Sequence, residues 1–133
     1  MSKKQQYLES CKNFLEAIAQ NHNYQQLPGG VFYKVLQSGN STLTPSLNRV
    51  VSVHYVGRLI TGKEFDNSYL RGCPEALRLT EVIEGWQIAL QNMHIGDKWE
   101  VVIPAEKGYG KRSNGPIPGG SVLTFEIELL SIC

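Results

Sequence analysis

The alternation of apolar and polar positions divides this chain into elements before any motif is considered. The clearest strand is the last one. Leu123, Phe125, Ile127 and Leu129 alternate with Thr124, Glu126 and Glu128, so one face is dry and the other wet, as in an antiparallel sheet that covers a core on one side. Arg49 to Ile60 alternates as well, with Val51, Val53 and Tyr55 on one face and Ser52, His54 and Val56 on the other. Lys98 to Ile103 sets Trp99, Val101 and Ile103 on one side. Val31 to Leu36 reads as a short strand, and Glu64 to Ser68 as a return strand after a turn at Thr61-Gly62-Lys63. Arg71-Gly72-Cys73-Pro74 reads as loop, and Ala76 to Leu79 leads into the helix that follows. Gly57 falls inside a strand pattern, which marks a bulge or a close approach by another backbone.

The period changes to a helical one in two places. Across Val82 to Met93, the residues Trp86, Ala89, Leu90 and Met93 follow the i, i+3, i+4, i+7 spacing of one helix face. Glu84 stands in the first turn, where a carboxylate favours the positive helix end, and His94-Ile95-Gly96 closes the element with a glycine suited to a left-handed cap. About three turns cannot hold together alone in water. This helix is therefore expected to lie on the sheet, with Trp86 pointing into whatever the sheet encloses. Residues 3–21 form the second pattern, with Tyr7, Leu8, Cys11, Phe14, Leu15 and Ile18 as the apolar stripe, ending ahead of a break at Leu27-Pro28-Gly29-Gly30. It either folds back on its own sheet, the commoner fate of such a stripe, or serves as a dimerising or partner-binding helix.

Size and composition narrow this picture. The 133 residues suffice for one ordinary domain. A hydrophobic fraction of 41% with 19% charged residues supports a real core rather than disorder. A formal net charge of +1 gives no electrostatic case for nucleic acid or an anionic membrane. No apolar run approaches the roughly 18 residues that cross a bilayer, and the first residues carry no secretory signal pattern, so a cytoplasmic location is expected. Cys11, Cys73 and Cys133 are widely spaced and odd in number, which reads as free thiols rather than a disulfide framework or a zinc ribbon.

Most catalytic signatures are missing. His22, His54 and His94 are isolated from one another and from the cysteines, so no metal site and no cofactor is expected. There is no nucleophile elbow, no P-loop and no dinucleotide fingerprint. What remains is aromatic. Tyr55, Phe65, Trp86, Tyr109 and Phe125 can converge if the sheet curls around the helix. Two tyrosine hydroxyls need partners when buried, and Tyr109 sits in the glycine-rich 104–120 segment, where no core residue is expected. A loop of that length is more often functional than idle. These features favour a concave apolar ligand pocket with a few polar groups.

Five stretches resemble one family. They are Val53-His54-Tyr55-Val56-Gly57; Gly62-Lys63-Glu64-Phe65-Asp66-Asn67-Ser68; Val82-Ile83-Glu84-Gly85-Trp86; Gly108-Tyr109-Gly110; and Ile117-Pro118 ahead of Leu123 to Leu129. In this order and spacing they resemble the FKBP-type peptidyl-prolyl cis-trans isomerases over residues 28–133, with residues 1–27 as an N-terminal amphipathic helix and linker. The resemblance implies an α+β fold, a twisted antiparallel β-sheet wrapped around one short helix. It implies non-covalent isomerisation of Xaa-Pro bonds in protein folding, with Tyr55, Phe65, Asp66, Trp86, Tyr109 and Phe125 as catalytic residues. Leu77, Val82, Ile83 and Ile117 would bind substrate or macrolide, with the Ile83 or Ile117 N–H and the Tyr109 hydroxyl holding substrate carbonyls. Arg71 would support the site by pairing with Asp66. Proline-containing polypeptides are the implied substrates, and macrolides such as tacrolimus and rapamycin the implied inhibitors. The N-terminal helix resembles additions through which some bacterial members dimerise, so a monomer or a dimer is expected. Two positions depart from the family: Leu77 stands where a phenylalanine is common, and the Arg112-Ser113-Asn114 loop differs. Leu77 keeps open an alternative reading, a binding module or folding chaperone with weak or no isomerase activity.

Overall fold

The two segments with the strongest alternation pair with each other, and the rest of the sheet is built outward from them. The computed structural model describes all 133 residues. Its strands are β1 (Gln25–Leu27), β2 (Val31–Gln37), β3 (Val50–Leu59), β4 (Glu64–Asn67), β5 (Glu75–Arg78), β6 (Lys98–Ile103) and β7 (Leu123–Ile132). They form one antiparallel sheet in the order β1-β2-β6-β7-β3-β4, with β5 also pairing β3. The β3–β7 ladder is the longest, setting Tyr55 opposite Ile127 and Gly57 opposite Phe125. Its helices are α1 (Lys3–Gln20), α2 (Ser68–Arg71) and α3 (Glu84–Leu90).

The period of two sends alternate residues of the central strands to opposite layers. Trp99, Val101 and Ile103 of β6 join Val51, Val53, Phe125, Ile127 and Leu129 in the main core, where they meet Trp86, Ala89, Leu90 and Met93. Val102, between them in sequence, turns the other way. With Phe32 and Val122 it forms a second apolar layer that Cys11 and Ile18 of α1 complete. The N-terminal helix is therefore folded back on its own sheet, on the face opposite α3. A capping box starts α1: the Ser2 hydroxyl accepts from the Gln5 N–H and the Gln5 amide oxygen accepts from the Ser2 N–H, both at 3.1 Å. Leu8, counted in the apolar stripe by spacing, is exposed and lies beside Gly120 rather than in that layer.

Several boundaries differ from the sequence expectation for local reasons. The central helix spans seven residues rather than the Val82–Met93 stretch. After Leu90 the N–H groups of Asn92 and Met93 donate three residues back, to Ala89 and Leu90, and the tightened turn carries Met93 into the core. Gly96 is left-handed, with φ of 94°, but its N–H donates to the Leu129 carbonyl at 2.8 Å. It turns the chain into β6 instead of capping the helix. Strand β1, assigned to the linker by sequence, pairs with β2. Ser68 does not extend β4: Asn67 accepts from the Leu70 N–H and starts α2 in the expected loop.

Candidate active site

Position along β3 puts Tyr55 on the α3 side of the sheet, and the turn into β4 brings Phe65 and Asp66 beside it. Opposite them the chain enters α3 through Val82 and Ile83, and Phe125 comes from β7. These residues, with Trp86, Leu77, Glu81 and Tyr109, line a cleft of about 260 Å³. Trp86 and Phe125 are buried and form its floor and inner wall. Their rings meet edge to face, with centroids 5.3 Å apart and planes at 90°. Tyr55 stands edge-on to Trp86 at 4.9 Å, and Phe65 edge-on to Phe125 at 5.6 Å. Such T-shaped contacts set positive ring edges against negative faces, so each ring fixes the tilt of the next.

Gly57 is what lets those rings close. A Cβ there would lie 2.6 Å from Phe65 Cζ and 2.9 Å from Phe125 Cε1, so the aromatic wall packs directly on bare backbone. The β3–β4 register also shifts between Gly57 and Arg58. The irregular pairing anticipated for this glycine is present, but what comes close to it is aromatic side chain rather than the second backbone the sequence suggested.

One edge of the cleft is polar. The Tyr55 hydroxyl donates to Asp66, whose other oxygen accepts from Arg71 and, at 3.0 Å, from the Asn67 N–H. Arg71 is shared: its Nε donates to Glu75 at 3.0 Å and its Nη2 to the Tyr55 hydroxyl at 3.4 Å. Partial burial raises the Asp66 carboxyl, but hydrogen bonds from Tyr55 and Arg71 outweigh it and hold the group below its usual value. Burial, followed by the bond to Asp66, pushes Tyr55 up to about 12. Burial and the nearby Asp66 charge also raise Tyr109. At neutral pH the edge is thus one carboxylate held by a guanidinium and a neutral phenol.

Two polar groups at the cleft are unspent. No hydrogen bond acts on the Tyr109 hydroxyl. The Ile83 N–H makes no intramolecular bond, although its carbonyl accepts from Trp86 and Gln87 at 3.0 and 3.2 Å. Ile117 is placed otherwise than expected. It is buried in the main core, outside the cleft lining, and its N–H donates to the Asn114 carbonyl at 2.9 Å. That donor is committed and cannot hold a substrate carbonyl. Glu81 was not anticipated. It sits on a single 3-10 turn, Leu79–Glu81, which no periodicity signals. Arg71 stands behind Asp66 rather than in the lining. No group of His, Cys, Asp and Glu is arranged to hold a metal ion.

An antiparallel sheet curled over one short helix, with an aromatic cleft between them, defines the FKBP class of prolyl isomerase fold. The model of the FKBP-type peptidyl-prolyl cis-trans isomerases matches residues 41–130, and the chain belongs to that family. It is 41% identical over 125 residues to the peptidyl-prolyl cis-trans isomerase Mip of Coxiella burnetii, covering 93% of this chain and 54% of that protein. The match to FkpA of Escherichia coli is also 41%, over 91% of this chain and 44% of the relative. The chain thus spans about half the length of these curated relatives. Among solved structures, a peptidyl-prolyl cis-trans isomerase of Pseudomonas syringae superposes with a TM-score of 0.89 at 36% identity, covering 99% of this chain and 97% of that one. The FkpA crystal structure gives 0.90 at 39% identity, over 97% and 60%.

Proposed function

We propose that this chain accelerates cis–trans isomerisation of Xaa-Pro peptide bonds in polypeptides during folding, without covalent chemistry. The observation that carries this reading is the aromatic cleft floored by Trp86, with two unspent hydrogen-bonding groups on it and no nucleophile or metal cluster. Rotation about an amide meets a barrier of roughly 18–20 kcal/mol set by resonance, while the two prolyl forms differ by only about 0.5–1 kcal/mol. The task is kinetic. The planar amide separates more charge than the twisted one, so a water-poor wall of Phe65, Val82, Trp86 and Phe125 disfavours the planar form relative to the transition state. The Ile83 N–H and Tyr109 hydroxyl hold flanking carbonyls in place. In this reading Tyr55, Asp66 and Arg71 fix the cleft edge, and Asp66 transfers no proton.

The test is the relaxation rate of a short Leu-Pro or Phe-Pro peptide with wild type beside Tyr109→Phe and Trp86→Ala. A large acceleration that Trp86→Ala abolishes supports the reading. A folded protein that leaves the rate at its uncatalysed value would instead make the chain a binding module. Macrolide inhibition belongs to the same proposal: a tacrolimus-like ligand enters the cleft past Leu77 and competes with the peptide. Burial of Cys11 and Ile18 within the chain's own second layer supports a monomer, since the helix has its best apolar residues spent. Three unbridged thiols suit a reducing, cytoplasmic setting, which cell fractionation would test.

A further inference from the structure

Beyond the aromatic cleft, the 108–121 segment and α1 together build a second depression. Its floor is glycine backbone. A Cβ on Gly119 would lie 2.1 Å from the Lys111 carbonyl oxygen, and one on Gly120 would lie 2.3 Å from Leu8 Cδ2. The fold fixes it from both sides: the Gly120 N–H donates to the Gly110 carbonyl at 2.8 Å, and the hydroxyls of Tyr7 and Ser121 lie 2.8 Å apart. Two contiguous hollows of about 390 and 430 Å³ share Lys4, Lys111 and Gly119.

The charge in this groove is predominantly basic. Lys3, Lys4 and Lys111 line it, and none appears in an ion pair, whereas Lys107 nearby is committed to Glu84 at 2.5 Å. Glu106 is the one carboxylate in the lining. The backbone N–H groups of Lys111 and Gly119 make no intramolecular bond. Three ammonium groups beside free backbone donors are a set that recognises carboxylates. The groove also adjoins the cleft: Tyr109 lines one, and the next residue, Gly110, lines the other.

We propose that Lys3, Lys4 and Lys111 form an accessory subsite for an acidic segment of the same polypeptide whose proline enters the aromatic cleft. This rests on the isomerase reading. The two sites meet at consecutive residues, Tyr109 and Gly110, so one extended peptide, covering at most about 3.3–3.6 Å per residue, can run from the cleft into the groove with its acidic residues flanking the proline. The preferred clients are acidic near their target prolines. A peptide is favoured over nucleic acid because the whole chain carries a net charge of only +1, which gives a phosphate backbone little long-range attraction to the molecule as a whole.

The experiment compares kcat/KM for matched prolyl peptides that differ only in a Glu-rich, Gln-rich or Lys-rich flank. Wild type is set beside the Lys3→Gln, Lys4→Gln, Lys111→Gln triple variant and a Lys4→Glu, Lys111→Glu variant. Three weak exposed ion pairs predict about a tenfold advantage of the Glu-rich peptide at low salt, shrinking as salt is raised. The triple variant is expected to erase the advantage while turning over the Gln-rich peptide as before, and charge reversal to shift preference to the Lys-rich flank. Equal turnover of all flanks by wild type, or an advantage that survives the triple variant, overturns the proposal. If no peptide is isomerised, the cleft reading has failed. The groove is then decided by fluorescence anisotropy of a labelled Glu-rich peptide lacking proline: salt-sensitive binding lost in the triple variant upholds it, and absence of binding overturns it. Tighter binding of a single-stranded oligonucleotide or of phosphatidylserine vesicles would overturn the choice of an acidic polypeptide.

Discussion

Asp66 accepts from a phenol, a guanidinium and a backbone N–H at once, and this fixes how the site responds to pH. A carboxyl held below its unfolded pKa stabilises the fold fully above the unfolded value and loses that contribution only as pH falls through the folded one. Asp66 is shifted in this direction, so its contribution is intact above the usual carboxylate range, about 4, and is lost in stronger acid. Tyr55, at about 12, stays neutral across the working range. We therefore expect kcat/KM to be flat from about pH 5 to 9. An acid limb between those limits that disappears in Asp66→Asn would make the residue a proton acceptor. Removing one donor is a separate test. Tyr55→Phe keeps the ring but leaves the carboxylate to Arg71 and the Asn67 N–H. Urea unfolding should register a loss of about 1–2 kcal/mol, with the ring contacts of Trp86 and Phe125 retained.

At the scale of elements, two glycines set how closely the sheet, the aromatic wall and α3 approach. Gly85→Ala carries opposing effects. Helix propensity alone favours alanine by about 1 kcal/mol, but the new methyl would stand 2.5 Å from Cγ2 of the fully buried Ile103. Overpacking of that kind costs about 1–3 kcal/mol, so thermal unfolding should show net destabilisation or, at best, no gain. Gly57→Ala should lower stability by a similar amount and also raise KM, because the rings it displaces line the cleft. The two positions were unequally legible. A glycine within an alternating strand announces itself, whereas one in the first turn of a short helix is indistinguishable from an ordinary start. Alternation found the long strands β3, β6 and β7, while β1 and α2, with three and four residues, hold barely more than one period each and gave no signal. The aromatic set was readable because tyrosine and tryptophan rarely gather without a partner. The Ile83 and Ile117 donors were not distinguishable, since the difference lies in one hydrogen bond to Asn114 that no spacing encodes.

For the whole molecule, the decisive fact is that β2 and β6 are covered on both faces, by α3 on one and α1 on the other. The stripe on α1 was readable from its spacing, but its destination was not: an apolar helix face looks the same whether it meets its own sheet or a second chain. If it is part of the fold, Ile18→Ala should cost about 2 kcal/mol or more in denaturant unfolding. A value within ±0.5 kcal/mol, typical of surface changes, would mean the helix is only loosely attached. The thiols give a time-resolved version of the same question. Cys73 and Cys133 are exposed while Cys11 is closed off between α1, which carries it, and the sheet, so a thiol reagent applied to the native protein should consume two groups at once and the third slowly. The lag of the third is a clock on the detachment of one helix. Compared with the rate of global unfolding, it tells whether α1 leaves the sheet by itself or only when the entire molecule opens.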